Sequence, residues 1–179
     1  YARSTGKVGV CLATSGPGAT NLVTGIATAN YDSVPLVCFT GQVALPLIGN
    51  DTFQEVDIVG VTRNVAKFVI VVRDRADLGR IIKEAFYIAR TGKPGPVLID
   101  LPKDVMGTFG SEEYPDSVNI RGYKPNTKVH HGQVMRAMKA LHKSKKPLFL
   151  IGGGTKIAGA HKEMTKLAEI LKVPVVSTI

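Results

Sequence analysis

Short apolar runs alternate with amphipathic stretches along the whole chain. The runs occupy residues 8–13, 35–40, 66–72, 97–101, 148–151 and 173–177. Each is rich in Val, Ile and Leu and apolar on both faces, the pattern of strands buried in a parallel sheet. Four stretches between them show helical spacing instead. Over 19–31 the apolar side chains Leu22, Val23, Ile26 and Ala27 fall on one face. Over 74–89 the stripe is Leu78, Ile81, Ile82, Ala85 and Phe86, with Asp74 placed to cap the start and Gly92 just past the end. Residues 131–141 and 158–171 complete the set. Strand, helix, strand repeats in order, so the expected fold class is α/β, a parallel sheet flanked by helices with right-handed crossovers.

Between residues 102 and 128 the periodicity lapses, and Gly107, Gly110, Pro115, Gly122 and Pro125 punctuate a polar stretch. The expected organisation is a sheet unit over 1–108, a linker over 109–127, and the beginning of a second, Rossmann-like unit over 128–179. Charge divides along the same line. The 179 residues carry a formal net charge of +9, of which +1 falls in residues 1–127 and +8 in residues 128–179. A basic chain raises a nucleic-acid partner. Here the basic residues are Lys-rich and scattered around helices without interleaved aromatics, and His142, Lys143, Lys145 and Lys146 cluster where a helix end attracts cations anyway. No nucleic acid is expected. With 44% hydrophobic and 21% charged residues the chain is globular rather than disordered. No apolar run approaches the roughly 18 to 20 residues that span a bilayer. Cys11 and Cys38 sit in apolar runs without a CxxC pattern, so buried thiols in a reducing compartment are expected. The chain opens at Tyr1 with no leader-like stretch, which reads as a piece of a longer protein.

Three stretches hold candidate chemistry. Residues 13–21, Ala-Thr-Ser-Gly-Pro-Gly-Ala-Thr-Asn, join a buried strand to a helix, where open α/β sheets place their ligands. Gly16 and Gly18 leave the backbone open to a ligand, Pro17 offers a rigid apolar surface, and Asn21 can present an amide to a polar ring edge. The competing explanation is a tight strand-to-helix turn. A dinucleotide fingerprint fails, because Asn21 stands in place of a third glycine and the next strand ends in Thr40-Gly41-Gln42 without a ribose-binding acid. The second stretch, 48–55, places Phe53 and polar groups in a loop after a strand, either a pocket wall or an ordinary loop with a helix start at Asp51. The third, 92–104, delivers a strand from a Pro/Gly turn and ends it in Asp100 and Lys103.

In order and spacing, TSGPGATN (14–21), FTGQV (39–43), GNDTFQE (49–55) and GKPGPVLIDLPKDV (92–105) together resemble the large catalytic subunits of acetolactate synthase, a thiamine diphosphate enzyme family. The resemblance covers essentially the whole chain. It implies that 1–108 is the later part of a pyrimidine-binding domain and that 128–179 begins a central FAD-binding domain. It also implies residue roles. Pro17 and Asn21 would line the aminopyrimidine ring and Gln54 would face the reacting region. Phe53 and Lys103 would stand at the mouth of the substrate channel, with Ala44 at a herbicide-contact position. Lys93 falls where the family usually has an Arg contacting FAD, which keeps the charge and loses the planar fork. Gly152, Gly153 and Gly154 would form a flavin-binding loop, against the alternative of a close-packed turn.

The implied reaction condenses two pyruvates, or pyruvate with 2-oxobutyrate, with loss of carbon dioxide, in branched-chain amino acid biosynthesis. The implied cofactors are thiamine diphosphate, magnesium and FAD. The family's proton-relaying Glu would lie before Tyr1, and its metal-binding motif lies in a domain not represented here, so no metal ligand is named and the piece alone is expected to be inactive. The implied assembly is a homodimer or tetramer with a regulatory small subunit, away from membranes, in the cytoplasm or a plastid. Glyoxylate carboligase and other carboligases or decarboxylases of the same superfamily are the alternative within the class.

Overall fold

The computed structural model describes residues 1–110 and 113–178. The chain divides into two compact units, Tyr1–Asn126 and Thr127–Ile179. In the first, helix α1 (Ala2–Thr5) leads into strand β1 (Gly9–Ala13), followed by α2 (Pro17–Asn21), α3 (Val23–Tyr31) and β2 (Leu36–Gln42). Then come α4 (Ile58–Thr62), β3 (Phe68–Val71), α5 (Leu78–Arg90), β4 (Pro96–Pro102) and α6 (Lys103–Gly107). The four strands form one parallel sheet in the order β1-β2-β4-β3.

The two inner strands explain why their sequences are apolar without interruption. Side chains alternate between faces along a strand. Val37, Val97 and Ile99 therefore join Ile81, Ala85, Ile88 and Ala89 of α5 in one core. Their neighbours Cys38 and Leu98 join Ala19, Ile26 and Ile58 from α2, α3 and α4 in the other. With both faces covered, neither parity can be polar. The direction of chain travel accounts for the layering: β1 to β2 and β2 to β3 advance across the sheet, whereas β3 to β4 steps back. A right-handed crossover that reverses direction must put its helix on the opposite face, which is where α5 lies.

At the outer positions the expectation of burial fails. Val10 and Leu12 of β1 are 55% and 80% exposed, because β1 is an edge strand and no described element covers that side. Cys38 is fully buried and burial pushes its thiol up to about 12, but Cys11 is only partly buried; both are free thiols. The expected helix over 19–31 starts earlier, with Pro17 at its first position, where a missing N–H costs nothing, and it breaks at Leu22. Over 74–89, Asp74 accepts from the amide of Ala76 at 2.9 Å and caps a 3₁₀ turn, and α5 proper begins at Leu78.

The stretch expected to be a linker is tied to the first unit over its second half. Ile120 and Tyr123 pack against the α5 core. The Tyr123 hydroxyl donates to the Thr91 carbonyl at 2.9 Å, and its ring meets Tyr87 edge to face at 6.0 Å. Lys67 adds its ammonium to the carbonyls of Ile88 and Thr91, satisfying the C-terminal end of α5.

The second unit holds α7 (His131–Lys143), β5 (Phe149–Ile151), α8 (Gly153–Ile157), α9 (His161–Leu171) and β6 (Val175–Ser177). β5 and β6 pair in parallel as a two-stranded sheet. The sequence pattern suggests strands buried on both faces, yet Leu150, Val175 and Val176 are exposed, since two strands alone have too few neighbours to cover them. The helix expected over 158–171 begins at His161. Gly159, with φ of 66°, separates it from α8. No helix among the described residues is long and apolar enough to cross a membrane.

Candidate functional site

Because the sheet is wholly parallel, the carboxyl ends of β1, β2 and β4 open on one side. The loops that leave them bring together residues 14–18, 42–56 and 102–104. A cleft of about 610 Å³ forms there, with Ser15 and Gln42 at its base, Ala44 and Phe53 on one wall, and Lys103 and Asp104 on the other.

The glycines of the first loop serve packing between loops. Gly16 has φ of 59°, and a Cβ there would lie 2.7 Å from the Gln54 carbonyl oxygen. A Cβ on Gly18 would lie 2.7 Å from Cγ2 of Thr14, and one on Gly41 would lie 3.3 Å from the Ser15 amide nitrogen. Protein, not ligand, occupies the space these side chains vacate, which corrects the sequence-based reading of Gly16 and Gly18. Pro17 and Asn21 remain exposed at either end of α2 and offer an apolar ring and an amide.

The second loop is bent tightly. Gly49, Asp51 and Gln54 all have positive φ, 89°, 53° and 60°. For the two non-glycine residues this conformation is costly and must be held by its surroundings. Glu55 holds it. Its carboxylate accepts from the Gly49 amide, from the Thr52 amide at 3.0 Å and from the Thr52 hydroxyl at 2.8 Å, and these bonds hold its pKa below the usual carboxylate value. No helix starts at Asp51; the next one, α4, is capped by Asp57, which accepts from Gly60 at 2.8 Å. The result is that Phe53 stands 87% exposed at the cleft and Gln54, also exposed, sets its backbone against Gly16. Sequence reasoning passed over Glu55. A carboxylate three residues after Thr52, closing a Gly-Asn-Asp turn, is the signal that points to it.

The third segment places Lys103, exposed, at the start of α6. Beside it Asp104 accepts from the Leu45 amide at 3.1 and 3.2 Å, tying the wall that contains Ala44 to the end of β4. Beneath the cleft lies a buried polar cluster around Asp100, which the sequence shows only as an acid at a strand end. Asp100, 1% exposed, accepts from the Thr40 hydroxyl at 2.7 Å and from Nε2 of Gln42 at 3.0 Å. Burial pushes its pKa up to about 6, against the opposing pull of those two hydrogen bonds.

The expected site residues therefore fall into separate places. Phe53 and Lys103 share the cleft, Gln54 follows Phe53 in the loop beside it, and Pro17 and Asn21 begin and end α2, outside the residues that line it. Lys93 lies before β4, at the amino end of the sheet, in a hollow with Lys67 and Tyr123. Gly152, Gly153 and Gly154 follow β5 in the second unit. A Cβ at Gly153 or Gly154 would meet nothing within 4 Å, and one at Gly152 only the Thr178 hydroxyl at 3.3 Å, so this is not a close-packed turn. Among the described residues no group of three or more His, Cys, Asp or Glu side chains is arranged to hold a metal.

A parallel α/β unit with a glycine-proline loop and a polar cleft at its strand ends is the architecture of a cofactor-binding domain in the thiamine pyrophosphate enzymes. The model of the thiamine pyrophosphate enzyme N-terminal TPP binding domain matches residues 1–61, and that of the central domain matches residues 134–179. The chain belongs to the thiamine pyrophosphate enzyme family. Along its length it is similar to acetolactate synthases. It is 52% identical to the acetolactate synthase large subunit of Porphyra purpurea, over 100% of this chain and 31% of that protein. It is 49% identical to the acetolactate synthase isozyme 3 large subunit of Escherichia coli (strain K12), over 99% and 31%. With the acetolactate synthase of Mycobacterium leprae (strain TN) the identity is 50%, over 100% and 29%. The chain thus spans less than a third of the length of these relatives.

Proposed function

We propose that these residues form part of an acetolactate synthase large subunit, and that the full-length protein joins two pyruvates, or pyruvate and 2-oxobutyrate, with release of carbon dioxide. The observation that supports this most directly is that Phe53 and Lys103 share one cleft with Ser15 at the carboxyl end of the sheet, while Gln54 lies against Gly16, the residue before Pro17. In this reading residues 1–108 contribute to the pyrimidine-binding domain and 128–179 to a central FAD-binding domain, with 109–127 joining them.

Thiamine diphosphate, when bound, supplies the nucleophilic carbon that protein side chains lack. The residues at hand fit its ring end: Pro17 offers an apolar face and Asn21 an amide, both exposed, on α2, whose N-cap Gly16 lies against Gln54. Gln54 orients groups at the reacting end through its amide. Lys103 attracts the carboxylate of a 2-oxo acid, an interaction of about 1 to 4 kcal/mol at contact between water-like and surface dielectric. Phe53 narrows the entrance and sheds water from it. FAD is assigned to the second unit's Gly152, Gly153 and Gly154, of which the last two leave an open backbone that admits close approach; magnesium is assigned to the part of the full protein beyond these residues. In this reading the full-length chain forms a homodimer or tetramer with a regulatory small subunit; the words large subunit in the names of two relatives support a smaller partner chain.

The test is acetolactate formation by the purified full-length enzyme with pyruvate, thiamine diphosphate, magnesium and FAD. Activity is expected, and Lys103→Ala is expected to raise the KM for pyruvate roughly tenfold with a smaller change in kcat. A full-length enzyme that makes none, while condensing glyoxylate instead, would replace this reading with the related carboligase. The 179-residue piece alone is expected to show no turnover.

A further inference from the structure

Asp100 is the only charged side chain buried among the described residues, and it sits in a central strand where an aliphatic residue would pack without a desolvation cost. Its hydrogen bonds show what it does there. Gln42 Nε2 donates both to Asp100 at 3.0 Å and to the Val56 carbonyl at 2.8 Å, and Gln42 Oε1 accepts from the Val43 amide at 2.9 Å. Every strong bonding group of that amide is engaged: the acceptors Asp100 and Val56 both take Nε2, the Val43 amide takes Oε1, and Asp100 is the one side-chain partner among the three. Val56 closes the loop that presents Phe53 and Gln54. A continuous set of hydrogen bonds therefore runs from β4, three residues before Lys103, through Gln42 to the loop on the facing wall. Asp104, one residue after Lys103, makes the matching tie to Leu45.

We propose that Asp100 is a positioning residue for the cleft: acting through Gln42, it fixes the Val56 end of the loop, and with it Phe53 and Gln54, relative to Lys103. The groups facing its carboxylate are Thr40 and Gln42 from β2 and Asp57 ahead of α4. As Asp100 takes up a proton below about pH 6 the acceptor weakens, so the positioning has an acid limit. The inference rests on the proposed function for its kinetic readout but not for its structural one.

The experiment compares Asp100→Ala with Asp100→Asn in the full-length enzyme. Asparagine can still accept from Gln42 through its carbonyl and donate to the Thr40 hydroxyl; alanine can do neither. Two readouts are taken: kcat/KM for pyruvate against pH, and hydrogen exchange at the amides of Glu55 and Ile58, which bond to Thr52 and Val56 at 2.9 and 2.8 Å. Asp100→Ala is expected to lower kcat/KM at pH 7 by roughly tenfold or more and to speed exchange at those two amides by a similar factor, with strand amides of β2 unchanged. Asp100→Asn is expected to restore both to within about threefold and to lose the acid limb near pH 6. Wild-type exchange at Glu55 and Ile58 in Asp100→Ala, or faster exchange spread evenly over the sheet, overturns the proposal. Should the alanine variant not fold, an acid limb retained in Asp100→Asn overturns it alone. A wild-type enzyme that forms no acetolactate removes the functional reading, and the exchange measurement still judges the positioning.

Discussion

Two glycine-rich loops follow strands in this chain, and they use glycine for opposite reasons. Around Gly16 and Gly18 the missing side chains are filled by Gln54 and Thr14, so the glycines permit one loop to lie against another. Around Gly153 and Gly154 nothing lies within 4 Å of the missing Cβ. As sequence the two are alike, Gly-Pro-Gly in one case and Gly-Gly-Gly in the other. The first loop is already engaged with protein and works by holding Gln54, whereas the second has an open backbone on which a ligand could rest.

The most damaging way to break the first half of this contrast is Gly16→Ala. The backbone is left-handed at φ of 59° and the new methyl would meet the Gln54 carbonyl oxygen at 2.7 Å. A left-handed conformation costs roughly 1–2 kcal/mol for an L residue, and relieving an overpacked contact commonly costs about 1–3 more. A stability loss of about 2–5 kcal/mol is expected in denaturant titrations of the full-length enzyme, with loss of most activity. Activity within twofold of wild type would show that Gln54 does not depend on this contact.

The buried cluster under the same loop sharpens the contrast through pH. Asp100 has its folded pKa raised, from 3.8 to about 6, so the folded state holds the proton more tightly than the unfolded one. The stability this confers is complete below about pH 4 and is lost as pH rises to 6; the difference is roughly 3 kcal/mol, from 1.36 kcal/mol per pKa unit. Asp100→Asn should flatten the unfolding free energy over that window relative to wild type, after the common contribution of other carboxylates is subtracted. An unchanged difference between wild type and variant from pH 4 to 6.5 would refute the assignment.

Much of the sheet is legible in the sequence because its cause is local and repetitive: residues 35–40 and 97–101 read as apolar on both faces since both faces are covered. The same rule misleads at Leu12 and Leu150, where the pattern is apolar but the neighbours are too few, and neighbours are a property of the tertiary arrangement. At the site, Phe53 and Lys103 can be found by motif and strand position. Glu55 and Gln42 escape notice because their roles depend on hydrogen bonds to the amides of Gly49 and Thr52 and to Val56. Asp100 is visible as an acid at a strand end, but only the fold shows that it points into the core and not into the cleft.

A smaller effect separates the two functions of the first loop's partner. Glu55→Gln keeps the size of the side chain but replaces one carboxylate oxygen with a donor, which must face either the Gly49 amide or the Thr52 groups. The turn around Asp51 and Gln54 then loses part of what holds its positive φ angles. A fall in kcat/KM of roughly threefold to tenfold is expected, with thermal stability of the sheet unit little changed, because residues 49–55 of the turn lie outside both apolar cores. Equal loss of stability and activity would place Glu55 in the general fold and not in the presentation of Phe53 and Gln54.

The smallest effect belongs to the second loop, and it decides whether the comparison is right. Gly153 does not require positive φ, and an added Cβ meets no atom of the protein. Gly153→Ala should therefore change the stability of the apoenzyme by less than about 0.5 kcal/mol, as for other substitutions that touch nothing. If a flavin rests on this backbone, the same methyl would stand between protein and ligand, so FAD affinity measured by fluorescence should fall while the apoprotein melts as before. A variant that binds FAD normally would leave this loop open to solvent and without a ligand, and one that loses stability without FAD would mean that its glycines, like Gly16, exist for packing.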